Sequence, residues 1–436
     1  MARRRPARLL ACVCAISALL TTSAGVAHAA PASVASQSNK AKLPNEGKCK
    51  PSLKPIKVGL ITSIDGAVLD LSDQADAAVA SVNAFNKRGG IKGHCIEIEV
   101  CNDKNDATAA LDCARKFAND SALIATVNDT TAFGSADVAR ILNEAGIPRI
   151  GLSPSTPELS VPNTFAIGAG GVGTTFMMAA NLAKKGYKKI YLIGVDTPQL
   201  DAIPPLMRQM LTAYGAELVG VSKVPAGTTD YQQFLLAAER AGADSIMLPL
   251  DENQSVQVLQ AANQLRTKLP ISGSFGTFNV QRLKELLPIS KQMMFNAEIP
   301  PATADQKRWP ILKQLVADLE ASGKPELKRD RIKSSPMRSW IAVWHLKTIA
   351  EQYADPDNLT RASMMEAMRK ATNVDTFGLI PPWTPNASVP VLAFTRISNP
   401  WYYTGTFDGK KFKLDKNQLH VANELAGTIN YAQPTG

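Results

Sequence analysis

"FAIGAGGVGTTFMMAANLAKKGYKKIYLIGVD", Phe165 to Asp196, is the stretch whose reading decides the fold. Its run Gly168-Ala-Gly170-Gly171-Val-Gly173 fits G-x-G-x-x-G, the fingerprint of a dinucleotide-binding turn. A short strand-like piece precedes it and an apolar helix follows. "KKIYLIGV" (188–195) then reads as a strand running into Asp196. Two readings compete. One is a nicotinamide-binding unit and a dehydrogenase. The other is a bend where the chain leaves one α/β half for another, a place that suits glycine. The fingerprint expects its acid about 20 residues after the turn, and Asp196 lies roughly a helical turn too far.

On either side of this stretch the chain alternates. Before it, apolar strands at 56–63, 95–101, 122–127 and 148–152 are separated by helical patterns at 73–89, 107–119 and 136–146. After it come helix 174–185, strand 188–195, helix 201–214, strand 217–224, helix 230–241, strand 244–250, helix 253–266, strand 270–275, helix 279–287 and strand 292–299. Such alternation predicts right-handed βαβ units and parallel sheets. The second run echoes the first, "KVGLITSID" against "KIYLIGVDT". Two α/β lobes of similar plan are expected, each a doubly wound parallel sheet. The tail adds helices at 305–323, 335–353 and 361–372 and strands at 390–397 and 401–414, with a hairpin at Asp408-Gly409. Trp340 and Trp344 lie four apart on the long helix and read as core.

The chain opens with Arg3, Arg4, Arg5 and Arg8, then an apolar run of about fifteen residues and Ala27-His28-Ala29, the layout of a secretory leader over 1–29. A polar, Ala- and Ser-rich lead to residue 48 reads as disordered. The net charge of +10 falls to about +6 without the leader's four arginines. The remaining basic residues are scattered, without the basic stripe of a nucleic-acid binder. An exported, soluble protein in the periplasm or cell envelope is the expectation.

Four cysteines remain beyond the leader, at 49, 95, 101 and 113. An even count in an exported chain reads as disulfides, and four cysteines allow three pairings. Cys49 precedes the first strand and Cys95 opens the second; Cys101 closes the second and Cys113 sits on the helix returning over it. This layout favours Cys49–Cys95 with Cys101–Cys113. Zinc is the rival, but C-x-x-C is absent and the histidines at 94, 345 and 420 are scattered. No metal or other cofactor is expected.

"VNAFNKRGGIKG" (82–93), "GIPRIGLSPSTPEL" (146–159), "GTTDYQQFLLAAERAGADSIML" (227–248) and the Asp408-Gly409 hairpin carry a family likeness. The chain resembles the class I periplasmic binding proteins of branched-chain and hydrophobic amino-acid ABC importers, over nearly all of 55–415. The resemblance implies two lobes joined by three crossovers, near 166–170, 298–303 and 379–385, with ligand held between them. Lobe 1 would comprise 49–167 and 303–380, and lobe 2 168–300 and 384–436. Gly168–Gly173 then falls at the first crossover, and an exported protein would lack a nicotinamide pool. The dehydrogenase reading is set aside.

Open parallel sheets bind ligands beyond the carboxyl ends of their strands. In lobe 1 those loops offer Asp70, Asp129, Thr130, Thr131, Ala132, Ser153 and Ser155. The resemblance implies that hydroxyls and backbone groups at or near Thr131, Ala132, Ser153 and Ser155 hold the ligand's carboxylate and ammonium. Helix capping is the competing role of such residues. In lobe 2 the family's aromatic positions fall at Leu200 and Asp251, and its ammonium-binding acid falls at Phe275. A buried ammonium needs a partner. Either Asp70, Asp129 or Asp251 supplies it, or the ligand is a hydrophobic aromatic or alicyclic carboxylate. Core packing is the other role open to Phe275.

The function expected is capture of a small molecule for the membrane permease of an ABC importer, by a monomer without nucleic-acid or enzymatic activity. An exported sensing module is the alternative, and an exported enzyme a more distant one. G-x-S-x-G and H-E-x-x-H are both absent.

Overall fold

The computed structural model describes residues 43–66, 68–225, 227–389 and 394–426. The leader, most of the lead to residue 48 and the first four residues of the expected strand 390–397 lie outside them. The lead's last residues are packed, contrary to the disorder expected there. Leu43 is buried, and the N–H groups of Glu46 and Cys49 donate to the carbonyls of Arg88 and Asn86.

The first lobe is a five-stranded parallel sheet of β1 (Ile56–Thr62), β2 (Ile96–Asn102), β3 (Leu123–Val127), β4 (Arg149–Ile150) and β5 (Thr164–Phe165), in the order β2-β1-β3-β4-β5. Helices α1 (Ser72–Asn86), α2 (Ala107–Asn119) and α3 (Ser135–Glu144) connect its strands. The motif Asn86–Gly93 closes α1 and launches β2. The Asn86 amide donates to the Ile96 carbonyl and accepts from its N–H, 2.8 Å each. Gly89 and Gly90 take positive φ, 107° and 61°, which ends the helix earlier than the expected residue 89.

The second lobe repeats the plan. Helix α4 (Gly170–Lys184) leads into β6 (Lys189–Val195), α5 (Pro198–Ala213), β7 (Glu217–Val224), α6 (Gln232–Arg240), β8 (Ser245–Met247), α7 (Glu252–Leu265), β9 (Ile271–Ser274), α8 (Val280–Glu285) and β10 (Met293–Ala297). Its parallel core runs β7-β6-β8-β9-β10, the same order as the first sheet. This sheet is mixed rather than wholly parallel. β11 (Trp401–Phe407) lies antiparallel to β10, and both β12 (Phe412–Leu414) and β13 (Leu419–His420) are antiparallel to β11. The β11–β12 turn is the one Asp408-Gly409 signals. Gly409 has φ 93°, and the Asp408 carboxylate accepts from the N–H groups of Lys410 and Lys411. The short helix α12 (Val421–Ala426) follows.

Helices α9 (Ile311–Glu320), α10 (Ser334–Tyr353) and α11 (Arg361–Lys370) belong to the first lobe's core. α9 begins later than expected because Pro310 disfavours helical backbone at Trp309. Trp340 and Trp344 are buried beside Phe85, with ring centroids 5.4 and 6.3 Å away. Their indole N–H groups donate to Asp318 and to the Asp375 carbonyl. Disulfides join Cys49 to Cys95 and Cys101 to Cys113, with Cα separations of 5.1 and 5.8 Å. Among the described residues no helix is long and apolar enough to cross a membrane.

Candidate ligand-binding site

The chain passes between the lobes three times, after β5, after β10 and ahead of β11. One carboxylate ties the first two passages to the start of β11. Glu298, just past β10, accepts the Gly170 N–H at 3.1 Å and the Tyr402 hydroxyl at 3.3 Å. The glycine run is shaped by this meeting. A Cβ at Gly168 would collide with the Glu298 side chain, and one at Gly173 with the Tyr402 hydroxyl. Gly170 has φ 62°, and its added Cβ would strike the Pro154 carbonyl. The apparent dinucleotide fingerprint is therefore a set of close backbone approaches at the junction, supporting no pyrophosphate role.

In each sheet the strand order reverses at one point, between β1 and β3 and between β6 and β8. Crevices at such switch points are where open α/β sheets bind ligands.

The first turns of α10 face both ways, as residues four apart share a helix face. Ser335 and Ser339 turn to the first lobe. Ser335 donates to the Gln74 side chain at 2.5 Å and Ser339 to the Gln74 carbonyl at 3.1 Å, while the Asn128 amide reaches both serines at 3.0 Å. Ser334 turns to the second lobe, where a Cβ at Gly276 would lie 3.1 Å from its hydroxyl. Arg338 shares that face, 3.7 Å from Glu298.

Lys333, capping α10, bridges the lobes. Its ammonium lies 3.1 Å from Asp73 at the start of α1 and 3.2 Å from Glu252 at the start of α7. Burial opposes the lysine's charge, but these two carboxylates outweigh it and raise its pKa.

The residues expected to hold ligand divide. Asp129 is fully buried and committed to the fold. It accepts from Thr126 at 2.8 Å and from the equally buried Arg149, which also pairs with Glu158. Leu200 is buried in the second lobe against Gly194. Phe275 is buried too, stacked on Phe295 at 5.3 Å and edge-on to Phe412 at 4.6 Å. Its ring belongs to the core, so the Phe-lined cleft expected from it is corrected. Asp70 is exposed and accepts from Ser72 and from the Asp65 N–H. Burial raises its pKa, and those hydrogen bonds overcome the effect and hold it low.

Thr130, Thr131, Ala132, Ser153 and Ser155 do sit on the loops beyond β3 and β4. The Thr131 hydroxyl is buried without a hydrogen-bond partner among the described residues. The Ser155 hydroxyl donates to Ser135 at 2.9 Å, and its N–H donates to Glu158 at 2.6 Å. Asp251 caps α7, accepting from the Gln254 N–H at 3.0 Å, and burial pushes its carboxyl pKa up. It forms no ion pair among the described residues.

Sequence reasoning missed Gln74, Asp73, Lys333, Arg338 and Glu298. "KSSPMRSW" (333–340) carried a signal, since Lys333 and Arg338 flank an otherwise buried helix start. Phe133 was missed as well; it is an aromatic ring left 42% exposed beside the Thr130–Ala132 loop.

A family model of periplasmic binding proteins matches residues 55–394, and the chain belongs to that family. Its members are exported solute-binding components of transporters rather than enzymes. The chain is 26% identical over 262 residues to a Leu/Ile/Val-binding protein homolog of Brucella abortus, covering 53% of this chain and 60% of that relative. It thus spans well under two thirds of that relative's length. It is 23% identical over 333 residues to the Leu/Ile/Val-binding protein of Escherichia coli, covering 74% of this chain and 84% of that one. Among solved structures, a fatty acid ABC transporter substrate-binding protein from Thermomonospora curvata superposes with TM-score 0.73 at 18% identity, over 90% of this chain and 98% of that one. A solute-binding protein from Rhodopseudomonas palustris in complex with 4-hydroxybenzoate gives 0.69 at 16%, over 85% and 98%.

Proposed function

We propose that this chain captures a small hydrophobic amino acid or an aromatic or alicyclic carboxylic acid between its lobes and delivers it to the membrane permease of an ABC importer. The observation that carries the reading is the tie that Glu298 makes between the first two crossovers and the start of β11. Two similar lobes meet at one junction, the arrangement a hinged closure requires. The hydroxyls and backbone groups of Thr130, Thr131, Ala132, Ser153 and Ser155 hold the ligand's polar end in this reading. Asp251 is the acid left to meet an ammonium, since Asp129 is spent on Arg149 and Asp70 on its own loop. Phe133 stands in for the aromatic contact that Leu200 and Phe275 do not supply. The relatives' names span branched-chain amino acids, fatty acid and hydroxybenzoate, which brackets this ligand class.

The test is a thermal-shift screen of the protein against amino acids, benzoates, cyclohexane carboxylates and fatty acids. A binder at 100 times its Kd stabilises by about 2.7 kcal/mol. A rise in Tm with one hydrophobic acid or amino acid is expected. No rise with any compound, or turnover of one, overturns the reading.

A further inference from the structure

We propose that Arg338, on the α10 face that looks across to the second lobe, is the anchor for the ligand's carboxylate. The inference rests on the capture reading above and names the group that recognises the charge.

Arg338 is a nearly buried guanidinium, its side chain only 14% exposed. Among the described residues, none accepts a hydrogen bond from it, and its Nε is buried with no partner. Its one charged neighbour within reach, Glu298, stands 3.7 Å away, beyond hydrogen-bond length. Oε1 of that carboxylate takes the Gly170 N–H and the Tyr402 hydroxyl, and it is Oε2 that faces Arg338. Asp73, the next acid, is committed to Lys333 at 3.1 Å. Burying a charged fork with its donors unused is costly. An acceptor with two parallel oxygens repays that cost, because a carboxylate matches the guanidinium bidentately.

The position suits a ligand. One turn before Arg338, Ser334 abuts Gly276 of the second lobe's β9–α8 loop. On the neighbouring face, Ser335 and Ser339 hold Asn128, which opens the loop bearing Thr131 and its unpartnered hydroxyl. The guanidinium therefore lies between the lobes, next to the Glu298 junction on which both are hung. A ligand acid bound there contacts the hinge side of the crevice directly. Burial also lowers this arginine's pKa, by more than Glu298, Tyr402 and Asp73 raise it.

The experiment uses acid and amide pairs: benzoate and benzamide, 4-hydroxybenzoate and its amide, cyclohexanecarboxylate and its amide, octanoate and octanamide, and leucine and leucinamide. Calorimetric Kd values are measured on the native protein and on Arg338→Lys and Arg338→Gln. On the native protein the best acid should bind about 10- to 100-fold tighter than its amide, the worth of a charge-assisted hydrogen bond. Arg338→Gln should erase that preference, the acid losing far more affinity than the amide, and Arg338→Lys should keep part of it. An acid affinity unchanged in Arg338→Gln, an equal affinity for acid and amide, or no acid binding at all overturns the anchor. Should Arg338→Gln not fold, the native acid-to-amide ratio and Arg338→Lys decide. If neutral compounds bind and acids do not, the anchor falls and capture stands; if nothing binds here or in the wider screen, both fall.

Discussion

The main-chain N–H of Gly170 donates to Oε1 of Glu298 at 3.1 Å across 128 positions of sequence. This bond joins the first interlobe passage to the second. Gly170 holds φ 62° with the Pro154 carbonyl in the space of any Cβ, so Gly170→Ala meets both backbone strain and a backbone clash. A loss of about 2 kcal/mol or more is expected, read as a shift in the urea midpoint. Gly171, with open space around it, should tolerate the same change within about 1 kcal/mol, the value of its helix propensity.

Lys333 links Asp73 of the first lobe to Glu252 of the second. Glu252→Gln cuts the link on the lobe 2 side and leaves the buried Asp73–Lys333 pair intact. The variant should lose on the order of 1–3 kcal/mol, as it removes one of the two carboxylates paired with a mostly buried lysine. Its radius of gyration in solution scattering should rise toward an opened form. An unchanged scattering curve would show that the bridge does not hold the lobes together.

Asp129→Asn removes one of the two carboxylates paired with a fully buried arginine, Glu158 being the other. Breaking one partner of such a pair costs about 3–5 kcal/mol. Chemical denaturation should record that loss. A variant of native stability that no longer binds ligand would instead place Asp129 in the site.

Phe275→Leu takes a ring from the stack with Phe295 and Phe412. We expect a stability loss on the scale of a few kcal/mol, below the ~3–5 of a Phe→Ala change. Ligand Kd should stay within twofold. A selective loss of affinity at unchanged Tm would return this ring to the cleft.

His345 is fully buried against Trp383, ring centroids 4.4 Å apart, and both its ring nitrogens lack a partner among the described residues. Burial depresses its pKa to about 3. The folded state keeps this ring neutral while the unfolded chain protonates it below about 6.5. Stability therefore falls as pH drops from about 6.5 toward 3, by at most ~1.4 kcal/mol per pH unit from this group. His345→Leu should remove one proton's worth of that slope, measured as unfolding free energy at pH 7, 6 and 5. An identical pH profile would contradict the assignment.

The sequence by itself determined whatever is carried by short spacing. Alternating apolar runs specify strands and helices, and two similar runs specify two similar lobes. Asn86 to Gly93 specifies how α1 hands over to β2, Asp408-Gly409 specifies a hairpin, and the order of four cysteines along those elements pointed to the pairing observed. These interactions close over a few residues or between neighbouring strands, so the pattern contains them. Only the tertiary structure decided which polar and aromatic groups are spent on the fold and which are left over. Asp129 and Asp251 look alike in sequence, yet one is consumed by Arg149 and the other caps a helix and forms no ion pair among the described residues. Phe275 takes its role from Phe295 and Phe412, and Arg338 takes its role from the 3.7 Å that separates it from Glu298. The partner of a buried side chain is chosen by packing across large sequence separations, where spacing along the chain carries no information about distance in space.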